Sequence, residues 1–298
     1  MDPNGDKTDS DQPSTMLDRL KAWPQYLLPQ ALLSSLMYRL TRSQLTWWKN
    51  LFIRWFIKQY QVDMNEAEQD DAQAYSSFNA FFTRALKPGA RPLQLGSHNV
   101  ISPVDGTISQ LGDIQDTKVF QAKGRDYDLH TLLAGNETWC KSFHNGKFMT
   151  IYLSPKDYHR IHMPVSGMVN ALTYVPGRLF SVNPATTRVI PGLFARNERL
   201  LIHFSSDAFG EMLLIMVGAI FVAGMETVFT GEITPPHNAP LAHYDYQGKN
   251  LEINQGEELG RFNMGSTVIL LFQEHALQWL NELQSGQPLR LGDLLATK

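Results

Sequence analysis

The stretch Gly256-Glu257-Glu258-Leu259-Gly260-Arg261-Phe262-Asn263-Met264-Gly265-Ser266-Thr267 runs directly into Val268-Ile269-Leu270-Leu271-Phe272. The last five residues are apolar without a break, too few for a stable helix and bounded by a Gly-Ser pair, so they read as a strand buried on both faces. Gly-Ser ahead of a strand is ordinarily a turn. A sharper reading starts from the missing Cβ of Gly265. Its carbonyl can be approached closely, and the adjacent Ser266 hydroxyl can attack it if the peptide is strained. Attack converts the amide to an ester, and elimination and hydrolysis then leave a pyruvoyl group at a new N-terminus at position 266.

Working outward, the chain has β texture from about residue 87 onward. Short apolar runs alternate with turn signals at Asp105-Gly106, Asn145-Gly146, Pro176-Gly177, Pro191-Gly192 and Pro235-Pro236. The apolar run 212–225, interrupted by Gly218 and Gly224, reads as two consecutive buried strands, being shorter than the ~20 residues a spanning helix needs. Helices are expected at 78–86 (FNAFFTRAL), ended by Lys87-Pro88-Gly89, and at 274–283. Pro24 and Pro29 break the first apolar stretch, so 27–61 forms two or three short helices. The fold class is α+β: an antiparallel-rich β catalytic body over 75–298, preceded by a helical, membrane-associating region over 17–74 and a disordered acidic leader over 1–16.

Composition limits the function. With 298 residues, the chain can bury a large core, and 26 basic against 29 acidic side chains give no positive field for nucleic acid. The single Cys140 excludes an intrachain disulfide framework and a thiolate zinc cluster, and no metal is expected. Residues 21–60 stand apart. Their charges are Lys21, Arg39, Arg42, Lys49, Arg54 and Lys58 with no acid, and they hold Trp23, Trp47, Trp48 and Trp55 of the chain's 6 tryptophans. On a helix from Leu45, one face carries Leu45, Trp48, Leu51, Phe52, Trp55 and Phe56, and the other Asn50, Arg54 and Lys58. Such a helix suits a lipid headgroup layer. Docking on its own domain is the competing reading.

Three further motifs could carry chemistry. Tyr158-His159-Arg160-Ile161-His162-Met163-Pro164 follows Ser154-Pro155-Lys156-Asp157, which resembles a capped helix start, so His159 and His162 would share one face of a turn. Two of 9 histidines so placed suit acid-base work, although a structural histidine is the commoner case. Ser102-Pro103-Val104-Asp105-Gly106-Thr107-Ile108 offers Asp105 as the group that orients a histidine, against an ordinary Asp-Gly hairpin. Leu179-Phe180-Ser181-Val182-Asn183-Pro184 and Phe194-Ala195-Arg196-Asn197-Glu198-Arg199 offer Arg196 and Arg199 for an anion, against an exposed charged turn, which is preferred.

The collinear series VDGTIS, YHRIHMP, LFSVNP, ARNER, GMETVF and GRFNMGST closely resembles the bacterial phosphatidylserine decarboxylases, over about residues 27–272. The resemblance implies a proenzyme cut at Gly265–Ser266 into a β chain, 1–265, and an α chain, 266–298, with Ser266 becoming a covalent pyruvoyl cofactor. Met264 stands where that family's LGST motif has Leu, a change that conserves volume. The family's processing Asp, His and Ser map onto Asp105, His162 and Ser266, and its decarboxylation histidine onto His159. The implied reaction turns phosphatidylserine into phosphatidylethanolamine through a Schiff base, with the pyruvoyl amide as electron sink and His159 as proton donor. Peripheral attachment to the cytoplasmic face of the bacterial inner membrane and a homodimer are also expected.

Rival readings are an Asp-His-Ser hydrolase with Ser266 intact, and a non-catalytic membrane-binding module. The first lacks the Gly-x-Ser-x-Gly elbow. A biotinyl- or lipoyl-type carrier would show a lysine at a hairpin tip, and Pro164-Val165-Ser166-Gly167-Met168 has none.

Overall fold

The computed structural model describes residues 15–122, 125–222, 224–264 and 266–298, so most of the acidic leader and Gly265 lie outside the described residues. The run that opens the sequence reading is the central strand, Ser266–Phe272, of a nine-stranded antiparallel sheet. It pairs on one side with Gly210–Val217 and on the other with Lys147–Leu153, with Ser266 opposite Leu153. Outward from there the sheet continues through Arg199–Ser206 and Gly167–Val175 on one flank, and through Gly106–Asp113 on the other. Every residue of the central strand is buried, because both faces of the sheet are covered and the apolar run has no wet side.

A smaller, four-stranded sheet is ordered Gly231–Thr234, Met225–Thr227, Glu258–Phe262, Arg160–His162. The chain leaves it at Phe262 and enters the large sheet at Ser266. Ion pairs Arg160–Glu258 and Arg261–Glu226 run between adjacent strands of the small sheet. Gly260 is required there: a Cβ would sit 2.3 Å from the Glu226 carbonyl oxygen.

Four helices precede the sheets: α1 (Met16–Ala22), α2 (Gln30–Thr41), α3 (Thr46–Tyr60) and α4 (Phe78–Phe82). α1 starts in a capping box of Thr15 and Asp18. Asp18 also pairs with Arg188 on the body at 3.1 Å. In α3, Ile53 and Phe56 are buried against Phe78, Phe81 and Phe82 of α4, forming a second apolar cluster separate from the main core. Phe52 stacks on Phe78 with centroids 4.1 Å apart.

Several expectations change. Phe52 and Phe56 face the protein, and Trp48 is half-buried with its indole N–H on the Leu40 carbonyl at 3.0 Å. Lys49, a cation of the segment that lies off the polar face, is buried and donates to the Gln73 carbonyl at 2.8 Å. Arg42 finds an acid outside its segment, Glu232. What α3 leaves exposed is Leu45, Trp47, Leu51 and Trp55, at 59, 69, 61 and 51%. The 78–86 helix stops at Phe82, where the Thr83 hydroxyl returns to the Asn79 carbonyl. The 274–283 helix does not form: turns surround the short strand Gln278–Trp279, which pairs with Leu294–Thr297, so tertiary pairing overrides helical pattern. The run 212–225 gives one strand and not two: Gly210–Val217 holds its first half, the described residues from Gly218 to Gly224 are turn and loop, and only Met225 belongs to the next strand, Met225–Thr227.

The Asp18–Arg188 pair gives a pH-dependent contact between α1 and the body. The hydrogen bond from Arg188 is the main cause that lowers the Asp18 carboxyl from 3.8 to about 2. A depressed carboxyl pKa stabilises the folded contact above pH 3.8, and that contribution is lost as pH falls through about 2. Hydrogen exchange over α1 should therefore be slower in the wild type than in Asp18→Asn at pH 5, with the gap closing toward pH 2.

Candidate active site

Ser266 is fully buried at the first position of the central strand, and its Oγ has no hydrogen-bond partner among the described residues. The next hydroxyl, Thr267 Oγ1, is likewise buried and unpartnered. A buried hydroxyl without a partner costs about 1–3 kcal/mol, so this end of the strand is held by its sheet pairing and not by its side chains. The two residues ahead of Gly265 are anchored: Asn263 by hydrogen bonds on both sides, and Met264 by packing on the α3–α4 cluster.

The histidines do not sit on one helical turn. Ser154–Asp157 is a turn in which the Asp157 carboxylate accepts from the Ser154 N–H and hydroxyl, at 2.7 and 2.8 Å. The chain then extends into the strand Arg160–His162, so no helical face is shared. His159, just before that strand, is fully buried, with its ring 4.2 Å from Phe82 of α4. Its Nδ1 lies 2.8 Å from the Asp157 carbonyl, which can only accept, so Nδ1 carries the proton. Burial pushes its pKa down to about 3. At neutral pH His159 is therefore uncharged, with a bare Nε2, and that atom is buried and unpartnered.

His162 is committed at both nitrogens. Nδ1 donates to the Gly256 carbonyl at 2.8 Å, and Nε2 accepts from the Tyr158 hydroxyl at 3.1 Å. Burial lowers its pKa as well. Asp105 does not bond to it. The Asp105 carboxylate accepts from the Arg91 guanidinium at 2.6 and 2.9 Å and from the Leu291 N–H at 2.8 Å. The hairpin reading of Asp105-Gly106 fails too. Gly106 opens a strand, and a Cβ there would lie 2.6 Å from the Tyr152 carbonyl oxygen. Thus Asp105 is a buried, ion-paired carboxylate, and the structure does not join it to His162 through a hydrogen bond.

A polar cleft of about 320 Å³ opens beside these groups, lined by Arg84, Arg91, Asp105, Asp157 and Tyr158 among others. Arg84, Arg91 and Tyr158 escaped the sequence reading. Arg84 is 5% exposed, donates to the Lys156 carbonyl at 3.1 Å, and leaves Nε and Nη1 unpartnered. The FFTRALKPGARP stretch carries both arginines, and only its texture as the end of a helix was used. Arg199, read as part of an exposed turn, is buried instead and donates to the Leu132, Thr131 and Asn197 carbonyls. Arg196 is exposed and lies over the rings of Tyr26 and Phe180, at 5.6 and 5.2 Å. Among the described residues, no cluster of three His, Cys, Asp or Glu could hold a metal ion.

Comparison with known proteins identifies the family. The phosphatidylserine decarboxylase profile matches residues 78–297, and a second profile, described as PSD, matches residues 20–61. The chain belongs to the phosphatidylserine decarboxylase family. Among curated relatives, the phosphatidylserine decarboxylase proenzyme of Pseudomonas fluorescens is 50% identical over 279 residues, 93% of this chain and 96% of that one. The proenzyme of Nitrosococcus oceani is 49% identical over 287 residues, covering 95% of this chain and 94% of its own. That of Idiomarina loihiensis is 46% identical over 282 residues, 94% and 96%. The first profile runs from α4 to the last strand of this family member, and the second spans α2 and α3.

The ion pair beneath Asp105 gives a test of the site's construction. The side chains of Arg91 and Asp105 are only 7 and 10% exposed. Removing one member of such a pair strands the other charge and costs about 3–5 kcal/mol. Arg91→Ala should therefore melt markedly earlier than wild type, and Arg91→Ala/Asp105→Asn, with the stranded charge removed, should recover part of the loss in the same thermal melts.

Proposed function

We propose that the protein is made as a precursor, cuts itself between Gly265 and Ser266, and then decarboxylates phosphatidylserine to phosphatidylethanolamine in phospholipid synthesis. The observation that carries this reading is the buried, unpartnered Ser266 hydroxyl at the start of the central strand, in a chain whose relatives are named proenzymes over nearly its whole length. The covalent pyruvoyl group is read as the fate of Ser266 itself. The surroundings fit it: the position is enclosed, the hydroxyl has no bond holding it back, and the His159 ring, with its bare Nε2, packs on Phe82 of α4, the helix whose Asn79 holds Asn263 three residues before Ser266. Once formed, a pyruvoyl group supplies the electron sink that loss of carbon dioxide requires.

The chain's own residues then divide the proton work. His162 is the proposed base for cleavage, and the Tyr158 hydroxyl on its Nε2 must move aside before that nitrogen takes the Ser266 proton. Asp105 is proposed to act in cleavage through the field around His162. His159 is the proposed proton carrier at the substrate's α-carbon. Because its Nε2 is bare at neutral pH, it must take up a proton before it can give one. Denaturing gels with intact mass test the scheme: wild type should give two chains, the smaller one blocked at its N-terminus and reactive toward carbonyl reagents. His162→Ala should stay largely whole. His159→Ala should cleave yet turn over about 10² to 10⁴-fold more slowly. A wild-type chain active with Ser266 intact would return the hydrolase reading.

The N-terminal helices are proposed to seat the protein on a lipid surface, at the cytoplasmic face of the bacterial inner membrane, with a homodimer as the working assembly. Leu27, Leu32 and Leu36 are exposed at 90, 68 and 52%, and Trp47, Leu51 and Trp55 continue the apolar surface, beside the exposed cations Arg39, Arg54 and Lys58. No helix among the described residues is long and apolar enough to cross a membrane. Replacing Trp47, Leu51 and Trp55 by serine should release the protein from anionic vesicles in flotation and leave cleavage without vesicles intact. Replacing the inward Phe52 and Phe56 should instead unfold the α3–α4 cluster. Each surface cation should add about 1 kcal/mol of salt-sensitive binding.

A further inference from the structure

Asn263, three residues before Ser266, is 2% exposed and hydrogen-bonded on every side. Its N–H donates to the Gly224 carbonyl at 2.9 Å. The Asn79 side chain, on α4, donates to its backbone and side-chain oxygens, both at 3.2 Å. Its own amide donates to Glu232 Oε1 at 3.3 Å. Glu232 in turn accepts from the Tyr38 hydroxyl on α2 at 2.9 Å and from the guanidinium of Arg42, the residue that caps the C-terminus of α2. Met264 completes the set by packing on the cluster that α3 and α4 share. The junction leaves no slack: a Cβ on Gly224 would lie 2.8 Å from Asn263 Nδ2 and 3.0 Å from Glu232 Oε1.

Every side-chain hold on the two residues ahead of Gly265 thus leads to the N-terminal helices. Asn263 reaches α2 through Glu232 and α4 through Asn79, and Met264 packs on the cluster that α3 and α4 share. Those helices carry the exposed apolar surface on their other side. The Trp48 indole also ties α3 to α2 at the Leu40 carbonyl, so a tilt of the pair on a surface is transmitted to both anchors together. Attack of Ser266 on the preceding carbonyl depends on angle and distance, and a misplacement of about 1 Å costs on the order of 10²-fold in such reactions.

We propose that Glu232 and Asn263 are positioning residues that couple seating of α2 and α3 on an anionic lipid surface to the rate of self-cleavage. This rests on the self-cleavage reading above. Glu232 touches no reacting atom. It acts by fixing Asn263, and through it the strand entry, relative to α2. Helices held against lipid keep the junction in its cleaving geometry, and helices free in water let it drift.

The test is a pulse-chase of full-length chain made by cell-free synthesis, with and without vesicles of mixed neutral and anionic phospholipid, reading the first-order rate of conversion to two chains. Wild type should cleave at least about threefold faster with vesicles, well within the 10²-fold scale set by misplacement. Glu232→Gln and the double variant Tyr38→Phe/Arg42→Gln, which weaken the link from opposite ends, should keep the vesicle-free rate, float with vesicles as wild type does, and lose the acceleration. Asn263→Ala should slow cleavage under both conditions. Equal wild-type rates with and without vesicles would overturn the coupling and leave self-cleavage standing, as would full acceleration in Glu232→Gln. A wild-type chain that never cleaves would overturn the self-cleavage reading itself, and the coupling with it.

Discussion

The pairing of Thr267–Phe272 on both sides, with Ser266 paired on one, is the constraint on which the site depends. Six consecutive residues, Thr267 to Phe272, are locked in register between two antiparallel neighbours, Ser266 is paired on one side with Leu153, and the side chains of all seven are excluded from water on both faces. The backbone at Ser266 therefore cannot relax to find a hydrogen bond for its hydroxyl. Burial of the apolar run outweighs the ~1–3 kcal/mol that each stranded hydroxyl costs. A strand this well held can carry a poorly satisfied, reactive residue at its first position without losing order.

The second sheet supplies the histidines from the opposite direction. The Phe262 N–H donates to the His159 carbonyl at 3.0 Å, so the strand that delivers the chain to Ser266 is the one that holds His159. The main-chain N–H of His162 is in turn fixed by the Pro103 carbonyl at 2.9 Å, within the segment that carries Asp105. Local burial then sets protonation. Both imidazoles are pushed toward the neutral form, but one keeps an open nitrogen and the other is capped by a tyrosine hydroxyl. Two histidines three residues apart thus acquire different chemistry from their partners alone.

The helical region contributes through an aromatic layer. Phe52 and Phe56 of α3 and Phe78, Phe81 and Phe82 of α4 stack within a few ångströms of one another, and Phe82 forms one wall of the His159 site. The same helix that presents Trp47, Leu51 and Trp55 outward thereby supports the catalytic region inward. A single amphipathic pattern has been divided between two apolar destinations, which is why α3 holds more large aromatic side chains than one buried stripe could use.

Much of this was legible in the residues. The uninterrupted run 268–272 had to be a buried strand, the turn-punctuated body had to be antiparallel-rich, and the motif order singled out Asp105, His159, His162 and Ser266 as the residues proposed for the chemistry. Local pattern misled where tertiary pairing competed with it. Ser154–Asp157 looked like a helix cap and became a turn, because the following residues are drafted into the small sheet. Residues 274–283 looked helical, yet Gln278–Trp279 pairs with the last strand. Partner choice lay beyond the sequence altogether. That Asp105 answers Arg91 and Leu291 and not His162, that Lys49 turns inward, and that Glu232 joins α2 to Asn263 are contacts between segments 14 to 194 residues apart. The sequence determines which groups are present and how each strand or helix must face. Long-range packing alone decides which of them meet, because hydrogen bonds and ion pairs depend on distances that no local pattern encodes.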